Sequence, residues 1–205
     1  FQLGRDFVGG DHVALILGDN IFYGQGLQQK LDRATGRWRG ATIFSYQVGD
    51  PERYGIVELD DNGHPRNLVE KPRQPRCRNA VTGLYFYDND VLAIAADLEP
   101  SPRGELEITD VNRVYLDRGQ LHVEQFGRGF AWLDTGTETS LLQAANFVET
   151  VQTRQGLRIA CLEEVAFRMG YITADEIERL AAAMDNNPYG AYLREVVSQR
   201  SGGGG

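Results

Sequence analysis

Val13-Ala14-Leu15-Ile16-Leu17-Gly18-Asp19-Asn20 is the stretch from which the fold is read. Apolar residues run unbroken from Val13 to Leu17, and a glycine, an acid and an amide follow at once. Such a run suits a parallel strand covered on both faces by helices, and in such sheets ligands gather outside the carboxyl ends of the strands. Asp19 falls at that end. Gly18 has no Cβ, which leaves room for a ligand or another backbone. The plainer reading, a buried strand closed by a polar turn, stays open.

Working outward, Phe1 to Phe7 reads as a helix end, and Gly9-Gly10 turns into the strand. Leu27 and Leu31 lie four apart on a short helix over 27–34. Ala41 to Val48 is rich in β-formers, and Asp50-Pro51-Glu52-Arg53 is a turn. Tyr54–Leu59 and Asn67–Lys71 flank Asp61-Asn62-Gly63, a strong hairpin signal. Ala80–Tyr87 and Leu121–Phe126 read as strands, and Val91–Leu98 as a helix. Thr109 is placed to cap a helix whose Val111, Val114 and Tyr115 share a face. From 137 the period becomes helical, with Leu141, Ala144, Ala145, Val148 and Val151 on one stripe. Thr173 with Glu176 forms a capping box, and Asn187-Pro188 opens a last helix. Ser201–Gly205 reads as a flexible tail. The fold class expected is α/β, a mixed sheet followed by C-terminal helices, with the Val13 strand parallel to its neighbour.

The 21 basic and 29 acidic residues give a net charge of −8, which argues against broad nucleic-acid binding. Cys77 and Cys161 are far apart and without histidine companions, so they read as reduced thiols of a cytoplasmic protein. No apolar run approaches the ~20 residues of a membrane span, and no signal peptide is visible. The sequence holds neither G-x-x-x-x-G-K-[ST] nor G-x-G-x-x-G between strand and helix. His12, His64 and His122 are scattered, which disfavours a serine or cysteine hydrolase.

What remains is charge. Asp19 ends an apolar strand, and Asp134 lies in Trp132-Leu133-Asp134-Thr135-Gly136-Thr137 before a helix. Two acids delivered by strand ends could share one hard cation, and Mg2+ is usually held by one or two carboxylates plus substrate phosphates. Asp134 taken alone is equally a turn or N-cap residue. Lys71 and Arg103 could converge on a phosphate, with Arg the bidentate partner, though each alone reads as a solvated charge.

In this order the pieces resemble the sugar nucleotidyltransferase family, most closely its glucose-1-phosphate thymidylyltransferases. The resemblance is carried by Leu17–Gly24, Asp50–Gly55, Glu70-Lys71-Pro72, Val81–Asp88, Arg103–Asp110 and Trp132–Thr137, and continues through Arg154-Gln155-Gly156-Leu157. It implies a Rossmann-like mixed sheet of the nucleotidyltransferase type, incomplete at its N-terminus. The family's G-G-x-G-T-R-L loop, which holds the nucleotide, does not occur in this sequence. A truncated catalytic domain at 1–137, a helical region at 138–200 and a tail at 201–205 are therefore expected, with the chain alone inactive. The implied reaction joins dTTP and glucose 1-phosphate into dTDP-glucose and pyrophosphate, on the way to deoxysugars of the dTDP-rhamnose type.

By matched position the resemblance gives Asp19 and Asp134 to Mg2+, Lys71 and Arg103 to the sugar phosphate, and Glu70 to sugar hydroxyls. It brings the Gly55 backbone to the sugar, with Tyr85 and Trp132 shaping the pocket. It also implies a homo-oligomer, commonly a tetramer, with a regulatory nucleotide site to which Tyr23, Gly24, Arg128, Glu164 and Arg168 would contribute. The alternative is a non-catalytic module that binds sugar phosphate or regulatory nucleotide. A glycosyltransferase is disfavoured, because no D-x-D precedes a strand end.

Overall fold

The structure is a computed structural model that describes residues 1–184 and 186–202. The chain forms two compact units, Phe1–Leu141 and Leu142–Gly205. The first carries α1 (Arg5–Val8), β1 (Val13–Ile16), β2 (Asn20–Gly24), α2 (Leu27–Thr35) and β3 (Ala41–Gln47). A 3-10 turn (Pro51–Arg53) leads to β4 (Gly55–Leu59), β5 (Pro65–Glu70) and β6 (Asn79–Tyr87). Then come α3 (Val91–Ala96), α4 (Ile108–Asp117), β7 (Leu121–Phe126) and β8 (Phe130–Asp134).

The main sheet runs β5-β4-β6-β3-β7, with β1 also paired to β6. Alternation along its strands makes two apolar faces. Ile43, Tyr85 and Tyr87 point into one core with Val57, Leu68, Val111 and Tyr115, which brings α3 and α4 onto that face. Phe44 and Leu84 point the other way, to Ala34 of α2, Phe126 and partly buried Phe22 and Phe130. Each fully buried side chain of this size contributes about 1.5–3 kcal/mol. The expected hairpin forms between β4 and β5; Asp60 Oδ1 accepts from the backbone N–H of Asn62 (3.0 Å) and His64 (2.8 Å) across the turn.

Two expectations are corrected here. β1 pairs antiparallel with β6, from Val13↔Tyr87 to Ile16↔Leu84, and the parallel pair among the described residues is β3 with β7. An apolar run reports hydrophobicity, not strand direction, and this one is not buried on both faces: Ile16 is 57% and Leu17 42% exposed. Thr109 is not the cap of α4. Glu107 holds that position, and the Thr109 hydroxyl is committed to Glu70.

β6 is longer than any single partner on one of its edges. There β4 meets it at Ala80 and β1 at 84–87. Between these two contacts β6 is unpaired on that edge, and Gly83 binds the β1–β2 turn instead: its carbonyl accepts from Leu17 N–H (2.8 Å). The candidate site opens at this split.

α5 (Glu138–Gln155) follows the sheet and buries only Ala144 of its expected stripe. The second unit closes a small core with Cys161, Phe167 of α6 (Leu162–Arg168), Ile177 and Ala181 of α7 (Ala174–Ala182), and Leu193 and Val196 of α8 (Pro188–Gly202). The capping box at Thr173 and Glu176 is present in both directions. Helix α8 takes in the first two residues of the expected tail; residues 203–205 lie outside the described residues. No helix among the described residues is long and apolar enough to cross a membrane.

Candidate active site

A cavity of about 270 Å3 occupies the split between β1 and β4. It is lined by Asp19 and Asn20 from the β1–β2 turn, Arg53, Tyr54 and Gly55 before and at β4, Glu70 and Lys71 at the end of β5, Gly83 and Tyr85 of β6, Thr109 of α4, and Trp132 and Asp134 of β8.

Asp19 and Asp134 reach this cavity through the β2–β8 ribbon. That ribbon pairs Asn20 with Asp134 and Phe22 with Trp132. Beyond it, the Thr135 N–H (2.9 Å) and hydroxyl (3.0 Å) both donate to the Asp19 carbonyl. Acids 115 positions apart are thus delivered by adjacent strand ends. Asp134 Oδ1 accepts from Gly136 N–H at 3.1 Å, and Asp19 Oδ1 from the Asn20 amide at 2.8 Å. No group of three or more His, Cys, Asp or Glu suited to a metal occurs among the described residues. Two carboxylates facing a phosphate-sized cavity fit Mg2+, which takes one or two protein carboxylates and completes its octahedron with phosphate and water.

Glu70 and Lys71 line the same cavity, whereas Arg103 is not among its lining residues and reaches it through Glu70. Thr109 donates to Glu70 Oε2 at 2.5 Å. Lys71 Nζ (3.9 Å) and Arg103 Nη1 (3.7 Å) converge on the other oxygen, Oε1. Arg103 is shared with Glu105 (2.9 Å) and Glu107 (3.5 Å). Lys71 adopts φ +41°, a left-handed backbone that costs a non-glycine residue about 1–3 kcal/mol and tends to cluster at ligand sites. Gly55 packs beneath the Glu70–Thr109 bond; a Cβ there would lie 3.0 Å from both Glu70 Oε2 and Thr109 Oγ1.

Trp132 forms the wall, its ring centroid 5.1 Å from that of Tyr54 and 6.1 Å from that of Tyr46. Tyr85 is 4% exposed; burial, with the Glu70 charge, pushes its phenol well above the ordinary range. It therefore stays neutral and serves as a polar wall, not a base. Arg53 bonds Asp50 at 2.9 Å. That bond first, then the Tyr54, Asp50 and Asp134 charges, raises its guanidinium above the usual value against a small cost of burial.

Sequence reasoning missed Asn20, Arg53 and Thr109 as site residues. All three lie within the quoted motifs, but only their contacts separate them from neighbours of the same type. Of the residues considered for a regulatory site, Tyr23 and Gly24 lie on β2 and Arg128 in the β7–β8 turn. In the second unit, Glu164 pairs with Arg168 (2.7 Å) and accepts from the Tyr192 hydroxyl.

A family model described as nucleotidyl transferase matches residues 1–151. The glucose-1-phosphate thymidylyltransferase of Xanthomonas campestris pv. campestris (strain B100) is 59% identical over 199 residues, 97% of this chain and 68% of that one. The Neisseria meningitidis serogroup A enzyme of the same name is 53% identical, again over 97% of this chain and 69% of its own length. Among solved structures, one from Bacillus anthracis assigned to that enzyme, in complex with sucrose, is 40% identical with TM-score 0.64; the match covers 71% of this chain and 58% of that one.

Proposed function

This chain belongs to the nucleotidyl transferase family, among the glucose-1-phosphate thymidylyltransferases, and from that premise we propose that its cavity takes glucose 1-phosphate for thymidylyl transfer from dTTP. The reading is supported above all by Asp19, Asp134, Glu70 and Lys71 lining one cavity, with Arg103 drawn up to Glu70 at its edge.

In the proposed step, a phosphate oxygen of glucose 1-phosphate attacks the α-phosphorus of dTTP. The bond from that phosphorus to the bridging oxygen breaks, and pyrophosphate leaves with the electron pair. The nucleophile is already anionic, so no side chain need accept a proton, which accords with a cavity lacking Ser, Cys and His. The task is to hold two anions together and neutralise charge as it moves. Lys71 and Arg103 bind the sugar phosphate, Glu70 accepts from sugar hydroxyls, and Trp132 and Tyr54 pack on the ring. Asp19 and Asp134 hold Mg2+, which when bound neutralises phosphate charge. A homo-oligomer in the cytoplasm is part of the same proposal.

The chain spans about two thirds of the length of these relatives. Its 205 residues hold no G-G-x-G-T-R-L loop, so the chain by itself binds glucose 1-phosphate and releases no pyrophosphate. Calorimetric titration with glucose 1-phosphate, with and without Mg2+, beside a pyrophosphate assay with dTTP tests this. Absence of glucose 1-phosphate binding overturns the site assignment. Steady pyrophosphate release by this chain overturns the inactivity.

A further inference from the structure

Asn20 touches three segments that the candidate site must hold in register. Its Oδ1 accepts from the Trp132 indole N–H at 2.6 Å and from the Gly83 backbone N–H at 3.0 Å. Its Nδ2 donates to Asp19 Oδ1 at 2.8 Å. The partners fix which way the amide faces: an indole N–H and a backbone N–H can only donate, so oxygen must meet them, and a carboxylate calls for the nitrogen. The acceptor's two lone pairs are both used. The backbone of Asn20 is meanwhile the ladder partner of Asp134.

The same geometry explains Gly83. A Cβ at that position would stand 2.6 Å from Asn20 Oδ1 and 2.7 Å from its Cγ, so only glycine lets the amide approach β6. Neither aspartate nor leucine meets all three demands. Aspartate keeps the acceptor but loses the donor and sets a second charge beside Asp19. Leucine has a similar branched shape and neither function.

We propose that Asn20 is a positioning residue that fixes the carboxylate of Asp19 and the indole of Trp132 relative to one another. It thereby ties the metal-binding and sugar-binding halves of the cavity into one rigid unit. The assignment of those halves rests on the proposed function; the bonding geometry does not.

The test uses a Trp38→Phe background. Trp38 is 78% exposed, and with it removed Trp132 is the sole tryptophan of the chain. Asn20→Leu and Asn20→Asp are compared by Trp132 emission and acrylamide quenching, by glucose 1-phosphate titration with Mg2+ present, and by thermal melting. In Asn20→Leu, emission shifts to the red, quenching rises, and glucose 1-phosphate binds about tenfold more weakly, as expected for losing hydrogen bonds that order a site. In Asn20→Asp the retained oxygen keeps the parental emission and quenching, while binding weakens because a like charge faces Asp19. If Asn20→Leu does not fold, Asn20→Asp decides alone. Unchanged emission in a folded Asn20→Leu, or parental binding by Asn20→Asp, overturns the proposal. Should the parent chain fail to bind glucose 1-phosphate, the functional reading falls, and the emission comparison still decides the role of Asn20.

Discussion

Replacing Thr109 with valine removes one hydroxyl from beneath the candidate sugar site and little else. Thr109 is 3% exposed, valine has nearly its volume, and both residues are β-branched, so helix α4 and its packing are retained. What is lost is the 2.5 Å bond to Glu70 Oε2. A hydrogen bond to a charged group contributes about 1.5–3 kcal/mol net. Glu70 keeps 22% side-chain exposure, so water restores part of that, and the lower end of the range applies. Lys71 and Arg103, at 3.9 and 3.7 Å from Oε1, are then free to draw the carboxylate away from the position above Gly55. The expected result is a glucose 1-phosphate Kd raised about 10–30-fold, or ~1.5–2 kcal/mol, measured by calorimetry. Thr109→Ser keeps the hydroxyl and binds within about twofold of the parent. If Thr109→Val also binds within about twofold, Glu70 does not depend on this bond for sugar recognition, and the reasoning is wrong.

Three further outcomes are expected. Gly83→Ala sets a Cβ 2.6 Å from Asn20 Oδ1, an overpacking expected to cost about 1–3 kcal/mol in denaturant melts. Glu124 lies buried beneath Arg33 and Arg37; burial pushes its carboxyl up, but the two arginines more than offset this and hold it below the usual value. A depressed carboxylate stabilises the fold above its unfolded pKa of about 4.3. That contribution is lost as pH falls through the folded value. Glu124→Gln is therefore less stable than the parent by about 1–3 kcal/mol at pH 7, and the gap between the two narrows in melts taken progressively below about pH 4. Thr173→Ala breaks the capping box of α7 and lowers the stability of the second unit by about 1 kcal/mol, followed by helical signal during urea unfolding.

Much was legible in the chain by itself, because those features are local. The Asn62-Gly63 hairpin, the capping box at Thr173 and the start of α8 at Pro188 depend on residues within a few positions of one another, and all are present. The apolar spacing also identified the inner face of α4, where Val111 and Tyr115 are buried. The succession of Asp19, Glu70-Lys71 and Asp134 motifs identified the family. Tertiary structure alone decided the rest. Strand direction is a property of pairs, so nothing within Val13–Leu17 could reveal that β1 runs antiparallel to β6. Gly83, Asn20 and Trp132 look like unrelated residues until the break in pairing along β6 brings them within hydrogen-bond reach. Thr109 reads as a helix cap until Glu70, 39 positions earlier, is found beside it. Short-range chemistry sets each element, whereas hydrogen bonds between residues far apart in sequence exist only where the assembled sheet brings their partners together, and those bonds shape the cavity.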